Sequence, residues 1–370
     1  MSTKPETEPA AAPILRSASI KKFGLFTDET LEFSSGLNVF IGRNGCGKSH
    51  LIKLLYTLVK VCGEAPGDGS VLEAEKLENR IAKKLARVFR PQNDHIGRLV
   101  QRATGRRGAM VSGEFTNKKR CSFRLSSLDK VSEAKSNVGA LQEAAFLPSR
   151  EVLALFEGFV AAYEKRELSF DETFRDICLA LSEKQLRGKR AGMLDALVRP
   201  LEDEIRGKVS LEGGRFYVTG ADGSIEAHLV SEGWRKLAAL AQLIINGTLT
   251  KNGFLFWDEP EANLNPKMVV QLSDTLLRLA NQGIQVFVVS HDYLLTTRLS
   301  LASEYPEAIP EDQRCPVKFF GLVRRGSDGK GVSVSSGSKL ADLQDNPILE
   351  EYAALYDYEG SLFQKSQPEA

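Results

Sequence analysis

The sequence predicts an α/β protein built on a parallel sheet with crossover helices, and three features predict it. Short apolar runs of strand length alternate with helix-length segments toward both ends of the chain. A glycine-rich turn, residues 42–49, joins one such run directly to a helix. A second run, residues 254–257, ends in two adjacent carboxylates, Asp258 and Glu259. Nothing repeats internally, and no sustained heptads support a coiled coil.

In chain order, residues 14–33 hold two short strand-like runs flanking Gly24, and they lead into an apolar run, 36–41, that reads as a buried strand. Gly42-Arg43-Asn44-Gly45-Cys46-Gly47-Lys48-Ser49 follows, in the pattern GxxxxGK[ST], and the residues from His50 to Tyr56 have helical spacing. Residues 71–107 read as helical and basic. Strand-like segments come at 109–116, 120–125 and 144–147. Residues 151–208 read as almost entirely helical, rich in Leu, Ala, Glu and Arg, with few breakers before Pro200. A hairpin is expected over 209–230, with turns at Gly213-Gly214 and at Gly220-Ala221-Asp222-Gly223. Then come a helix over 231–246, a buried strand over 253–257, a helix over 266–282 and an apolar strand over 285–290.

Strand, glycine-rich turn and helix N-terminus together aim backbone N–H groups and a helix dipole at an anion. The glycines let the main chain wrap closely without a Cβ in the way. The candidate phosphate-binding residues are Gly42, Arg43, Asn44, Gly45, Cys46, Gly47, Lys48, Ser49 and His50. In such a loop Lys48 reaches the β- and γ-phosphates and the Ser49 hydroxyl sits on Mg²⁺. Buried acids at a strand's end need a reason. Beside a phosphate loop the reason is Mg²⁺ held through Asp258, with Glu259 orienting and deprotonating the attacking water. Two further pieces are less specific alone. Ser290-His291-Asp292 ends the next apolar strand and puts an imidazole at the sheet edge, where a lone histidine is more often a surface residue. Ser231-Glu232-Gly233 opens a helix, as an ordinary N-cap or as a second anion-binding terminus.

Taken in order, these segments resemble the ABC-type ATPase heads of the SMC and RecF-like superfamily. Within it they are similar to the compact AAA-family ATPases of bacterial anti-phage defence loci, of the Septu kind. The matching pieces are the loop 42–49, the signature-like Ser231-Glu232-Gly233, Asp258-Glu259-Pro260-Glu261 as the acidic strand end, Asn263-Leu264-Asn265-Pro266 as D-loop, and Ser290-His291-Asp292 as switch histidine. The signature departs from the family pattern, reading VSEGWRK where LSGGQ is usual, and the D-loop ends in Asn265 rather than aspartate. Residues 146–151 occupy the place of the glutamine loop without a glutamine at the turn.

The resemblance implies an ABC-ATPase head with a phosphate-loop parallel-sheet core, an N-terminal antiparallel β lobe and a short helical lobe in place of coiled-coil arms. After a disordered tail, 1–14, the head is expected to fill 15–370. Its parts are a phosphate-loop lobe over 15–150 with a basic insert at 71–107, a helical lobe over 151–208, and a signature lobe over 209–370. ATP and Mg²⁺ are the implied cofactors. Glu259, His291 and Lys48 take the catalytic roles, and Ser49 and Asp258 hold the metal. The family arrangement is a homodimer with ATP sandwiched between one protomer's loop and the Ser231, Gly233 and Asn265 of its partner. A separately encoded effector, a nuclease, is the implied second partner.

Composition bounds the rest. Lys+Arg number 49 against 48 Asp+Glu, a net charge of +1, so the overall balance argues neither for nor against nucleic acid. Ten cations from Lys76 to Arg107 crowd one stretch, with Arg80, Lys83, Lys84 and Arg87 on one helical face. That face suits a DNA or RNA backbone, or else acids elsewhere in the fold. Lys184, Arg187, Lys189 and Arg190 form a second cluster. Five cysteines, far apart and never in CxxC spacing, suit a reducing compartment, and no apolar run approaches the roughly 18 residues of a membrane span. A soluble, cytoplasmic protein without membrane contact is expected. The competing readings are the nucleotide-binding subunit of a membrane transporter and a DNA repair or recombination ATPase; a transporter subunit would usually keep LSGGQ and a glutamine loop.

Overall fold

Alternating burial along residues 15–32 makes two strands, β1 (Leu15–Phe23) and β2 (Phe26–Glu32), that turn back on each other at Gly24. The computed structural model describes residues 13–63, 74–102, 105, 107–186, 189–325 and 331–366. The expected tail therefore lies outside the described residues apart from 13 and 14. So do residues 71–73, Arg106 and Arg187, and the side chains of Lys189 and Arg190.

The fully buried run β3 (Leu37–Gly42) leads through the glycine-rich turn into α1 (Lys48–Gly63), followed by α2 (Ala74–Phe89). Next come β4 (Gly108–Phe115), β5 (Arg120–Ser126), β6 (Val131–Ser136) and β7 (Ala144–Leu147). The helices α3 (Phe159–Glu164), α4 (Glu172–Leu181) and α5 (Lys189–Ile205) precede a small meander of β8 (Lys208–Glu212), β9 (Arg215–Gly220) and β10 (Gly223–Glu226). The chain continues with α6 (Glu232–Ile245), β11 (Phe254–Asp258), α7 (Pro266–Asn281), β12 (Gln285–Val289) and α8 (Tyr293–Glu304). It closes with β13 (Val317–Arg324), β14 (Val332–Gly337) and α9 (Pro347–Ser366).

The central sheet has the order β14-β13-β3-β12-β11-β7, parallel throughout except for β14. Its strands are apolar on both faces, as expected where helices cover both sides. Odd and even residues divide between two cores. Val39, Leu255, Trp257, Val286 and Val288 face α6, α7 and the helical lobe. Phe40, Phe256, Phe287 and Phe320 face α1 and the antiparallel lobe. There Phe256 stacks on Phe287 at 4.7 Å and Phe40 on Phe320 at 4.8 Å, and buried Tyr56 of α1 stands edge-on to Phe146 and Phe256. The antiparallel lobe, order β2-β1-β4-β5-β6, is joined to the sheet by buried Gln285. Its amide donates to Leu15 O at 2.7 Å and Ser34 O at 2.8 Å and accepts from Leu15 N at 3.0 Å.

Two helical expectations are shortened. The basic stretch is helical only to Phe89, because Arg90 (φ 46°) precedes Pro91, whose ring disfavours a helical neighbour; two 3₁₀ turns follow. The segment 151–208 is less helical than expected: its three helices start only after Gly158 (φ 70°), Arg166 (φ 62°) stands between α3 and α4, and α5 passes through Pro200. The stretch from 293 onward, not resolved into elements by the sequence, adds an outer helix, the edge pair β13 and β14, and α9.

Candidate nucleotide-binding and hydrolysis site

The end of β3 sets the phosphate loop against the end of β13. Gly42 has φ 151°, and a Cβ there would run into the Leu322 carbonyl oxygen and stand 2.9 Å from Cys46 Sγ, so only glycine fits. Gly47, at φ 93°, turns the chain into α1. Lys48 is buried and curls back over the loop, its Nζ donating to Gly42 O at 2.7 Å and Arg43 O at 3.2 Å. His50 stands edge-on to Phe89 of α2 at 5.5 Å. Cys46 is buried, which pushes its thiol up and away from reactivity.

Parallel pairing of β3 with β12, and of β12 with β11, carries the acids to the same sheet edge as the loop. Ser49 Oγ donates to Asp258 Oδ1 at 3.1 Å. Burial raises the Asp258 carboxyl above its ordinary value of 3.8, and neighbouring Glu259 adds to this; the Ser49 hydroxyl, Lys53 and Lys48 oppose them. A buried carboxylate beside a hydroxyl is an oxygen donor pair of the kind Mg²⁺ takes, so the residues present fit that ion. Glu259 has φ 50°, donates its N–H to Val289 O at 2.9 Å, and carries its carboxylate 3.4 Å from His291 Nδ1. The candidate base Glu259 and the candidate His291 therefore meet.

Sequence reasoning gave Glu261 no role of its own, yet it sets the histidine segment. Its buried Oε1 accepts from Ser290 Oγ at 2.8 Å and from His291 N at 3.1 Å, while Oε2 is buried without a hydrogen bond. Burial raises this carboxyl too. The only signal was an acid two residues beyond the base; its partner, 29 residues on, leaves no local pattern.

Ser231 is exposed at the head of α6, and its hydroxyl does not cap its own helix. Glu232 accepts from Asn263 Nδ2 at 2.8 Å and so turns toward the D-loop. Arg235 pairs with Glu151 at 2.8 Å, tying α6 to the segment in the glutamine loop's place. The Asn265 side-chain Oδ1 caps α7 by accepting from Met268 N at 3.0 Å. Among the described residues no hydrogen bond joins Ser231 or Asn265 to the loop 42–49. Within one chain these two groups of site residues stay apart.

The basic face meets acids of the helical lobe. Lys84 lies 2.5 Å from Asp176 and 3.2 Å from Glu172, and Arg87 donates to Glu172 at 3.1 Å. Tyr56 donates to Asp176 at 2.6 Å and Lys53 to Asp171 at 2.7 Å, so α4 grips both α1 and α2. Lys83 is exposed on the rim of a cleft of about 630 Å³ between α2 and α4. Among the described residues no helix is long and apolar enough to cross a membrane.

Residues 17–143 match a family model described as "AAA domain", and residues 143–297 match one described as "AAA domain, putative AbiEii toxin, Type IV TA system". No curated protein matches the chain. Solved structures do. An Smc head domain with a coiled coil and joint from Pyrococcus yayanosii is 11% identical, with TM-score 0.54 over 92% of this chain and 100% of that one. An Smc head domain with an extended coiled coil from Pyrococcus furiosus, bound to the C-terminal domain of ScpA, is 13% identical, with TM-score 0.52 over 94% and 99%. An SmcHead bound to the C-winged helix domain of ScpA is 16% identical, with TM-score 0.52 over 89% and 98%. AAA-domain models thus match in succession from residue 17 to 297, and the chain has the fold of the Smc head domains.

Proposed function

We propose that the chain binds Mg²⁺·ATP at residues 42–49, hydrolyses it, and closes on a second copy of itself in doing so. The observation that carries this reading is the convergence at one sheet edge of Ser49 on Asp258 at 3.1 Å and Glu259 on His291 at 3.4 Å. Bound Mg²⁺ supplies charge neutralisation of the phosphates. Ser49 and Asp258 hold it, and Lys48 leaves its two loop carbonyls to meet the β- and γ-phosphates. Glu259 accepts the proton of the attacking water, and His291 holds that carboxylate and the γ-phosphate end of the site in register.

The dimer rests on what the single chain lacks. Ser231 is exposed, its hydroxyl is not used as a cap, and it is not bonded to the loop of its own chain, which suits a donor to a partner's γ-phosphate. The ATP state then governs a separately encoded effector, a nuclease, in a nucleic-acid-linked role such as anti-phage defence. Support for that step comes from the family resemblance and from the basic rim around Lys83. Phosphate release tests the core of the reading. Glu259→Gln should lower the rate by about 10²–10⁴-fold while a fluorescent ATP analogue still binds, and Lys48→Ala should weaken that binding. A wild-type rate in Glu259→Gln removes Glu259 as the base.

A further inference from the structure

The first two turns of α6 grip the turn that carries the base. Glu232 and Lys236 are four residues apart, hence on one helix face, and both reach residues 259–263. Glu232 Oε1 accepts from Asn263 Nδ2 at 2.8 Å. Lys236 Nζ donates to Ala262 O at 2.8 Å and to Glu259 O at 3.4 Å. Between them, Gly233 lets the helix backbone press on the same segment. A Cβ there would stand 3.0 Å from Leu264 Cδ2 and 3.2 Å from Asn263 O.

Lys236 is 3% exposed, and an ammonium persists at such depth only when it is hydrogen-bonded. Burial pulls its pKa down, while Glu232, Glu261, Glu259 and Glu151 around it hold it up. Glu259 itself sits at φ 50°, a left-handed backbone that a non-glycine residue keeps only where its surroundings impose it. Its N–H is fixed by β12 and its carbonyl is met by Lys236.

We infer that Lys236, supported by Glu232, is a positioning residue that aims the Glu259 carboxylate and links it to Ser231 at the head of the same helix. This rests on the reading of Glu259 as base and of Ser231 as donor to the partner's nucleotide. A shift of α6 when Ser231 engages that phosphate reaches the carbonyls of Glu259 and Ala262 through Lys236. Ser231 serves one nucleotide and Glu259 the other, so the grip couples the two sites of a dimer. The departure at position 232 then has a use, since a glycine there has no side chain to hold Asn263.

Three full-length variants test this: Lys236→Met, which keeps length but loses the charge and donors, Lys236→Arg, which keeps both, and Glu232→Ala. Lys236→Met should lower kcat on the order of tenfold to a hundredfold, leave the affinity for a fluorescent ATP analogue unchanged, and abolish cooperativity in ATP. Lys236→Arg should recover most of kcat, and Glu232→Ala should show the same split more weakly. An unchanged kcat in Lys236→Met, or a loss of affinity that matches the loss of kcat, overturns the inference. Should Lys236→Met melt too low to assay, Glu232→Ala decides by the same criterion. Glu259→Gln run alongside separates the two failures. If it too keeps the wild-type kcat, the base assignment has failed. If it is inactive while Lys236→Met is not, the coupling alone has failed.

Discussion

Protonation of two buried carboxyls at the site, Asp258 and Glu261, contributes to the pH dependence of stability. Burial raises both above their ordinary values of 3.8 and 4.5. The folded chain therefore holds these protons to higher pH than the unfolded chain does. Their contribution to stability is greatest while both are protonated and falls as pH rises from those ordinary values through the raised ones. Thermal melts across an acid-to-neutral series should show that fall. Glu261→Gln should flatten it, because a neutral amide has no proton to lose. A series equally steep in Glu261→Gln would show that Glu261 is not a source of the dependence. The glycine-rich loop and the adjacent acids Asp258 and Glu259 stood out in the sequence, since glycine spacing and acids at a strand end are local patterns. Glu261, Lys236 and Glu151 were not, because each is defined by a partner far along the chain.

At the scale of elements, the apolar strands of the sheet up to residue 290 were legible to within a residue or two, because apolar runs bounded by breakers state their own ends; β6, β13 and β14 were not read. Helix lengths were less legible. The run 71–107 reads helical by composition, and the Arg90–Pro91 step stops it. What the α2 cations do is also a matter of packing. Lys84, largely buried, is held between Glu172 and Asp176, with buried Tyr56 donating to the same Asp176. Lys84→Met would take from Asp176 its nearest cation and from Glu172 one of its two. It should cost on the order of 3 kcal/mol in chemical denaturation, in keeping with the loss of one partner from a buried pair. Lys83→Met, at an exposed position on the same face, should cost little. Equal costs would mean that the lobe is not held by this network.

For the whole molecule, the net charge of +1 gives no general attraction to nucleic acid, so any such binding has to come from local surface. With Lys84 and Arg87 engaged by acids of α4, the cleft rim around Lys83 is the better candidate for a phosphate contact. If it makes one, Lys83→Glu should reduce the log–log salt slope of duplex DNA binding by about one, equally for all sequences. An unchanged slope assigns that face to the protein itself or to a partner subunit.

Dimerisation around ATP is the claim on which the largest part of the function rests, because Ser231 and Asn265 are not bonded to the loop of their own chain. Light scattering of Glu259→Gln with Mg²⁺ and ATP tests it directly, since this variant should bind ATP and not release it. The expected result is twice the protomer mass with ATP, the protomer mass without it, and no ATP-driven association when Ser231→Arg is added. A mass that ignores ATP, in a variant shown to bind it, would contradict the sandwich.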